Sequence, residues 1–416
     1  MFPYGKTDLI TLWLGMMVSL SSSALRLVVI PSDPIDAYKR KGIDSWLESY
    51  YNPQKMFREV FALSPLEKGE RRAYGMTIIG ASERGFSKVL RHIRPDIVRA
   101  YGGFWPADLA CRYRLPDVPV IVSVHDTNPS LLHRSVRYAD LVICISAAVE
   151  ELVLGKGVDP KRIRRLPNRV DTKVFYPIRD EDRLRSIARR FPPGRHILHV
   201  GRKSHEKNLD TLIRALQFLP ADYSCVFVGL GDASPYISLA EQIGVADRCF
   251  WVGSVKNPEL PLWYSWCDCF CVPSRWEGFG MVFIEAAACG APIVTSDIAP
   301  MNEYLTYDGN ACLVREYENP SALAEAIRKV CEDTEYRQTI SAGAVKAAQR
   351  FDRSIVDAME VAIYRDSLAM PPLSLGKWAQ WAIWRAQETL AESSVPTMGK
   401  RIVRRVSREA NRFRRE

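Results

Sequence analysis

Pro273-Ser274-Arg275-Trp276-Glu277-Gly278-Phe279-Gly280-Met281-Val282-Phe283-Ile284-Glu285 is the stretch on which the fold turns. A nearly all-apolar run, residues 268–272, leads into it, and an Ala-rich helical pattern leaves it and closes at Cys289-Gly290. A buried strand, a Gly-punctuated turn and a helix in that order make one unit of a parallel α/β sheet. Gly278 and Gly280 leave backbone N–H groups bare at a helix start, where the helix dipole favours anions. The carboxylates of Glu277 and Glu285 are eight residues apart. Were the stretch helical throughout, they would stand about 12 Å apart along the axis and about 80° around it. A glycoside hydrolase needs a retaining pair about 5 Å apart and an inverting pair under about 10 Å. The two acids therefore read as grips on different hydroxyls of one extended ligand, or more plainly as charges favouring a helix N-terminus.

The same alternation runs outward in both directions. Strand-like runs fall at residues 25–32, 60–63, 76–79, 96–101, 118–124, 140–145 and 162–166, with helical patterns such as 83–93 and 147–154 between them. A second series restarts at 196–201, 224–228, 248–252, 268–272, 292–295 and 312–314. Between the series, residues 167–193 are polar and proline-punctuated. At 416 residues the chain is too long for one core and suits two domains of roughly 150–200 residues. The expected fold class is α/β, with two Rossmann-like domains of parallel sheet facing across a cleft, and with ligands beyond the carboxyl ends of the strands. The expected partition is an N-terminal extension 1–24, a first Rossmann-like domain 25–175, a linker 176–195 and a second Rossmann-like domain 196–350. A terminal helix 351–370 and a Trp-containing basic tail 371–416 follow.

Composition narrows the class. With 47% hydrophobic and 25% charged residues, disorder, collagen-like repeats and a polytopic membrane protein are excluded. Net charge is +9, but residues 400–416 hold eight Lys/Arg against two Glu, which accounts for +6. Ten cysteines without a CxxC pair do not make a disulfide framework. Cys267, Cys269 and Cys271 alternate through an apolar run and are expected on one strand face as small core hydrophobes, which suits a reducing, cytoplasmic compartment. Residues 9–25 are uncharged and Ser-rich at their end. They read as a short signal peptide, as a membrane-contacting extension, or as residues upstream of a true start at Met16 or Met17.

A second cluster, His199-Val-Gly201-Arg202-Lys203-Ser204-His205-Glu206-Lys207-Asn208, closes a strand and opens the helix expected over 209–219. Gly201 permits a tight turn. Arg202 and Lys207 set two cations beside a helix N-terminus, as a diphosphate cradle would; two solvated surface cations are the alternative. Gly229-Leu-Gly231 also follows a strand, but the third glycine of a dinucleotide fingerprint would fall at Ser234.

Taken together these segments resemble the retaining family 4 of the glycosyltransferases (glycosyl transferases group 1), which have the GT-B fold. The resemblance rests on His199 to Lys207, Gly229-Leu-Gly231-Asp232, Pro273-Ser274…Glu277-Gly-Phe-Gly…Glu285, Ala-Cys-Gly-Ala-Pro and Glu303. Pro95-Asp-Ile-Val, Ser123-Val-His125-Asp, Ala139-Asp-Leu-Val…Ser146 and Pro167-Asn168-x-Val170-Asp171 extend it, so that it covers roughly residues 90–350. It implies that Arg202 and Lys207 hold the donor diphosphate, with Gly201, Gly278, Phe279 and Gly280 shaping the same donor site. Glu277 would contact the transferred sugar, Glu285 the nucleotide ribose, and His125 the sugar being transferred. It further implies retention of configuration without a metal or other cofactor. Two positions depart from the family pattern. The loop after the first strand has one Gly where a pair is usual, and Arg169 stands where the family usually has Gly, so an Arg is expected to reach the cleft.

In the tail, Trp378, Trp381 and Trp384 recur at helical spacing ahead of the basic run. Residues 378–416 are expected to meet an anionic membrane surface; the alternative packs the tryptophans on the first domain. No aromatic-interleaved platform points to nucleic acid. The expected activity is transfer of a hexose from a nucleoside diphosphate sugar to a glycan or lipid-linked acceptor. The setting would be cell-envelope polysaccharide or lipopolysaccharide assembly, at the inner face of the plasma membrane. A nucleotide-sugar epimerase or isomerase, or a catalytically silent GT-B protein, is the alternative.

Overall fold

The computed structural model describes residues 25–40, 44–371 and 373–393. The expected extension 1–24 and the basic run 400–416 lie outside the described residues.

Aliphatic runs build the first sheet from β1 (Arg26–Ile30), β2 (Glu59–Ser64), β3 (Glu70–Ala73), β4 (Met76–Gly80), β5 (Ile97–Tyr101), β6 (Val120–Val124), β7 (Leu141–Cys144) and β8 (Ile163–Arg165). Their order is β3-β4-β2-β1-β5-β6-β7-β8, parallel except for the β3–β4 pair. β5, β6 and β7 are buried along their whole length, as strands covered by helices on both faces must be. β3, Glu-Arg-Arg-Ala, was not among the expected strands. It is an edge strand with half its side chains in water, where charge guards against stray pairing. The helices of this half are α1 (Ile35–Arg40), α2 (Leu47–Tyr51), α3 (Glu83–Ile93), α4 (Trp105–Arg112) and α5 (Ala147–Gly155).

The expected linker contains α6 (Glu181–Ala188). The second sheet is wholly parallel, ordered β11-β10-β9-β12-β13-β14. It comprises β9 (Arg195–Val200), β10 (Tyr223–Val228), β11 (Cys249–Gly253), β12 (Cys269–Val272), β13 (Ile293–Ser296) and β14 (Cys312–Val314). Around it lie α7 (Leu209–Ala215), α8 (Ser234–Gln242), α9 (Leu260–Trp266), α10 (Met281–Ala288), α11 (Pro320–Glu332) and α12 (Thr334–Ala348). Strand order reverses beside β1 in one sheet and beside β9 in the other, which opens a crevice at the carboxyl ends of both.

Two terminal helices return to the first domain. α13 (Arg353–Ala369) contributes Val356, Val361, Ile363 and Tyr364 to the cluster containing Leu27, Val29, Tyr51 and Phe57. α14 (Leu375–Ser393) docks through its tryptophans. Trp381 Nε1 donates to the Cys111 carbonyl at 2.7 Å, the Trp384 ring stacks on Tyr138 at 5.0 Å, and the Arg114 guanidinium lies 5.0 Å from the Trp378 centroid. Trp381 and Trp384 are buried. The expected membrane contact is corrected for these aromatics, because their apolar surface already covers the first domain. Among the described residues no helix is long and apolar enough to cross a membrane.

All ten cysteines are unpaired and buried. Cys269 and Cys271 point into one face of the second sheet, but Cys267 does not join them. It ends α9, with its Sγ 3.4 Å from the Tyr264 carbonyl, and packs in a different cluster.

Candidate active site

On the second-domain wall, β9 runs into Gly201 and the loop that carries Arg202 and Lys207. Gly229 (φ +131) at the end of β10 lets this turn form, since a Cβ there would overlap the Gly201 carbonyl. Asn208, with φ 55, redirects the chain into α7 and donates to the Tyr317 carbonyl at 3.1 Å. Lys207 Nζ donates to Glu277 Oε1 at 2.5 Å, and Ser274 Oγ donates to the same oxygen at 2.8 Å. The Lys207 and Glu277 side chains are largely buried (11% and 9% exposed). Arg202 stands half-exposed at the mouth, ion-paired with Glu206.

Arg275 ties this loop to the stretch quoted at the outset. Its N–H donates to the Glu206 carbonyl at 2.8 Å and its guanidinium to the His205 carbonyl at 2.8 Å. Asp210 and Glu318 take its remaining donors at 2.7–3.0 Å. The loop bearing both proposed phosphate cations is thereby fixed against the loop bearing Glu277.

The glycine turn also meets the opposite domain. A Cβ on Gly278 would overlap the His125 carbonyl. Thr127 Oγ1 donates to the Glu277 carbonyl at 3.3 Å and Ser146 Oγ to the Gly278 carbonyl at 3.5 Å. The Glu303 carboxylate accepts from the N–H groups of Ala147 and Ala148 at 2.7 and 3.1 Å, at the positive end of α5. Gly280, at φ 82, starts α10. The helix thus begins at Met281, which corrects the all-helical spacing drawn between Glu277 and Glu285. The Phe279 side chain turns away from the expected donor site, leaving only its backbone in the turn. Its ring is buried against Tyr304 (5.1 Å) and Phe351 (5.8 Å), and its carbonyl accepts from Tyr304 Oη at 2.6 Å. Glu285 is buried on α10, accepting from Tyr264 Oη at 3.0 Å and Asn257 Nδ2 at 3.4 Å. Burial pushes its carboxyl up to about 7.

On the first-domain wall, His125 follows β6 and lines a cavity of 240 Å³ with Tyr38, Tyr50, Tyr101, Phe104 and Asp126. Its ring lies nearly parallel to that of Tyr101 at 6.2 Å, and its Nε2 is buried with no hydrogen-bond partner among the described residues. Burial first, then the positive field of Arg99 and Arg169, lowers the imidazole to about 4, against the rise that Glu360 would cause. It is therefore neutral at pH 7. Arg169 does not reach into the cleft as expected. It turns under Tyr50 and pairs with Asp357 and Glu360 of α13, because two carboxylates there outbid water.

Of the expected residues, Lys207 and Glu277 are in direct contact, Gly278 touches His125, Gly201 and Arg202 belong to the same loop as Lys207, and Glu285 sits behind on α10. Sequence reasoning passed over Ser274, Arg275, Thr127, Ser146 and the cavity tyrosines. Tyr101 ends an expected strand, which is where ligands of such sheets collect. Nothing local marks Tyr50.

Two family models match the chain in tandem, Glycosyltransferase Family 4 over residues 51–174 and Glycosyl transferases group 1 over residues 180–347. The chain belongs to the family 4 glycosyltransferases. A D-inositol 3-phosphate glycosyltransferase of Xylanimonas cellulosilytica is 31% identical over 242 residues, which cover 56% of this chain and 58% of that protein. The match thus spans little more than half of that relative's length. Sucrose-phosphate synthase of Thermosynechococcus elongatus superposes with a TM-score of 0.67 at 19% identity, covering 83% of this chain and 99% of that one. HepE of Anabaena in complex with UDP-glucose superposes with a TM-score of 0.66 at 19% identity, covering 82% and 99%. The architecture of this family 4 chain is GT-B.

Proposed function

We propose that the chain transfers a hexose from a nucleoside diphosphate sugar to a hydroxyl of a glycan or lipid-linked acceptor, with retention of configuration and without a metal. The observation that carries this reading is the buried Lys207–Glu277 pair, set on a loop with Arg202 and facing His125 across the domain junction. Breaking the anomeric C–O bond loads negative charge onto the departing diphosphate. Cations fixed beforehand at that place lower the barrier without reorganising, usually the largest catalytic contribution. Lys207 and Arg202 fill that role here, and Arg275 holds their loop still. Glu277 and the N–H groups of the Gly278–Gly280 turn orient the transferred sugar. Neutral His125 offers Nε2 to that sugar without adding a second positive charge. The solved structure of HepE with UDP-glucose supports a nucleotide-sugar donor, and the named relative supports a polyhydroxylated acceptor.

Envelope polysaccharide or lipopolysaccharide assembly at the cytoplasmic face of the membrane is the setting we infer, supported by the +6 carried by residues 400–416. A chain ending at Ser394 should lose co-sedimentation with anionic vesicles; equal co-sedimentation refutes the membrane part. For the reaction, the protein is incubated with UDP-, GDP- and ADP-sugars and an acceptor panel, with and without EDTA. Transfer gives acceptor-stimulated release of nucleoside diphosphate that EDTA leaves unchanged, and a product whose anomeric configuration by NMR matches the donor. Sugar isomerisation without diphosphate release would favour an epimerase, and neither outcome would mark a silent protein.

A further inference from the structure

The loop that leaves β6 joins two distant parts of the chain. Between β6 and β7 it makes two short 3-10 turns, Pro129–Leu131 and Arg134–Tyr138, and residues 128–130 are exposed. Its first residues cross the domain junction, where Thr127 Oγ1 and the His125 carbonyl meet the Glu277–Gly278 turn. Leu132 then wedges against Gly103, and the His133 N–H donates to the Gly103 carbonyl at 2.7 Å. The far end of the loop lies on α14.

Arg134 sets two nitrogens on one carboxylate oxygen of α14, Glu388 Oε1, with its Nε at 3.1 Å. Trp384 Nε1 donates to the same oxygen at 3.1 Å, and Tyr138 Oη donates to the Gln380 carbonyl at 3.4 Å. The helix has a separate anchor in Trp381, which donates to the Cys111 carbonyl of α4, so the Arg134–Glu388 pair is not what docks it. Arg112 lies 3.8 Å from Glu388 but is matched more closely by Asp108 at 2.6 Å and Glu83 at 3.3 Å. Loss of Glu388 therefore strands no buried charge.

The Arg134 side chain is 52% exposed, and ion pairs of that kind add little to global stability. A loop of short turns opens locally, however, and its own few ties set the cost of that opening. Fixing residue 134 removes freedom from residues 128–133, and these lead straight back to Thr127 at the junction.

Resting on the transferase reading, we propose that Arg134 and Glu388 are positioning residues for the transfer. Their pair clasps the junction loop to α14 and keeps Thr127 and the His125 carbonyl seated on the Glu277–Gly278 turn.

Hydrogen exchange on the full chain tests the clasp without turnover. Arg134→Met and Glu388→Met should each speed exchange of the 128–134 amides roughly tenfold. The double variant should be no faster than either alone, because one interaction is lost in all three. Arg134→Lys should stay close to wild type, and the melting temperature should hold throughout. In parallel, kcat should fall about tenfold in both Met variants while the donor KM stays put, since Arg202 and Lys207 stand on the other wall. Wild-type exchange in the Met variants overturns the clasp, as does faster exchange spread evenly over the first domain with a lower melting temperature. Faster loop exchange at an unchanged kcat overturns the positioning role. A wild-type chain that releases no diphosphate from any nucleotide sugar refutes the transferase reading, while the exchange rates still decide whether the clasp exists.

Discussion

The two walls of the cleft use the same residue types in opposite ways. On the second-domain wall, Lys207 pairs with Glu277 and half-exposed Arg202 with Glu206, on the loop we propose for the donor diphosphate. On the first-domain wall, Arg99 and Arg169 are turned inward, matched by Glu360 and Asp357, and packed against the rings of Tyr101 and Tyr50. Positive charge at a ligand surface stabilises an anion that forms there; positive charge cancelled behind an aromatic layer gives that layer rigidity without attracting anions. A wall for a departing diphosphate needs the first arrangement, and a wall for an uncharged hydroxyl needs the second.

The comparison breaks most visibly at Glu360, which is fully buried between two guanidiniums. Glu360→Gln leaves Arg99 and Arg169 short of countercharge, and unbalancing a buried ion pair costs about 3–5 kcal/mol. The urea midpoint at pH 7 should fall accordingly. A midpoint within error of wild type would show that the first-domain charges are hydrated rather than matched.

The matching experiment on the other wall acts on rate. Lys207→Met should raise the barrier by about 3–4 kcal/mol, a hundred- to thousandfold loss in kcat by analogy with a removed oxyanion donor. Lys207→Arg should recover part of it. Comparable kcat in Lys207→Met would remove the charge from the mechanism.

The seam between the walls comes next. Gly278→Ala forces a methyl into the His125 carbonyl, and overpacking of this kind costs about 1–3 kcal/mol. The strain falls between domains rather than within one core. Small-angle scattering should therefore record a wider cleft, and kcat/KM should drop ten- to hundredfold with little change in melting temperature. Loss of melting temperature with unchanged kcat/KM would mean that the contact is structural only.

How much of this was legible beforehand follows from the range of each signal. The two sheets and the turns that bring Lys207 against Glu277 are written in local runs of a dozen residues. Strands buried on both faces read as unbroken apolar stretches, and glycine turns mark where a backbone must bend. Arg169 reads locally as a free cation near a cleft. Its true partners lie 188 and 191 residues away on α13, and no local pattern encodes that return. Trp381 and Trp384 misled for the same reason. A helix with aromatics on one stripe suits a membrane or a protein groove equally well, and the choice fell to Cys111 and Tyr138, more than 240 residues upstream. Phe279 sits inside the clearest motif of the chain, yet φ 82 at Gly280 and the Tyr304 ring turn its side chain into the core.

Glu285 supplies the smallest effect and the sharpest contrast with Glu277, since the two acids of one motif meet different surroundings. Glu277 carries an ammonium partner, whereas Glu285 has only a phenol and an amide. Desolvation accordingly raises Glu285 to about 7, with the Tyr264 and Asn257 bonds opposing it. The sign then follows. The folded chain holds this proton more tightly than the unfolded chain, so the stability it lends is complete below the ordinary carboxyl value near 4.3. That stability is lost as pH rises through about 7. The family resemblance gives Glu285 the nucleotide ribose, and an ionised carboxylate is the stronger acceptor for its hydroxyls, so on that assignment nucleotide binding should run the other way and tighten from pH 6 to pH 8. The dependence should approach about tenfold per pH unit below the midpoint. Calorimetric titration of UDP should give that slope in the wild type and a flat line in Glu285→Gln. A slope surviving the substitution would assign the titration to another group and leave Glu285 as a packing residue of α10.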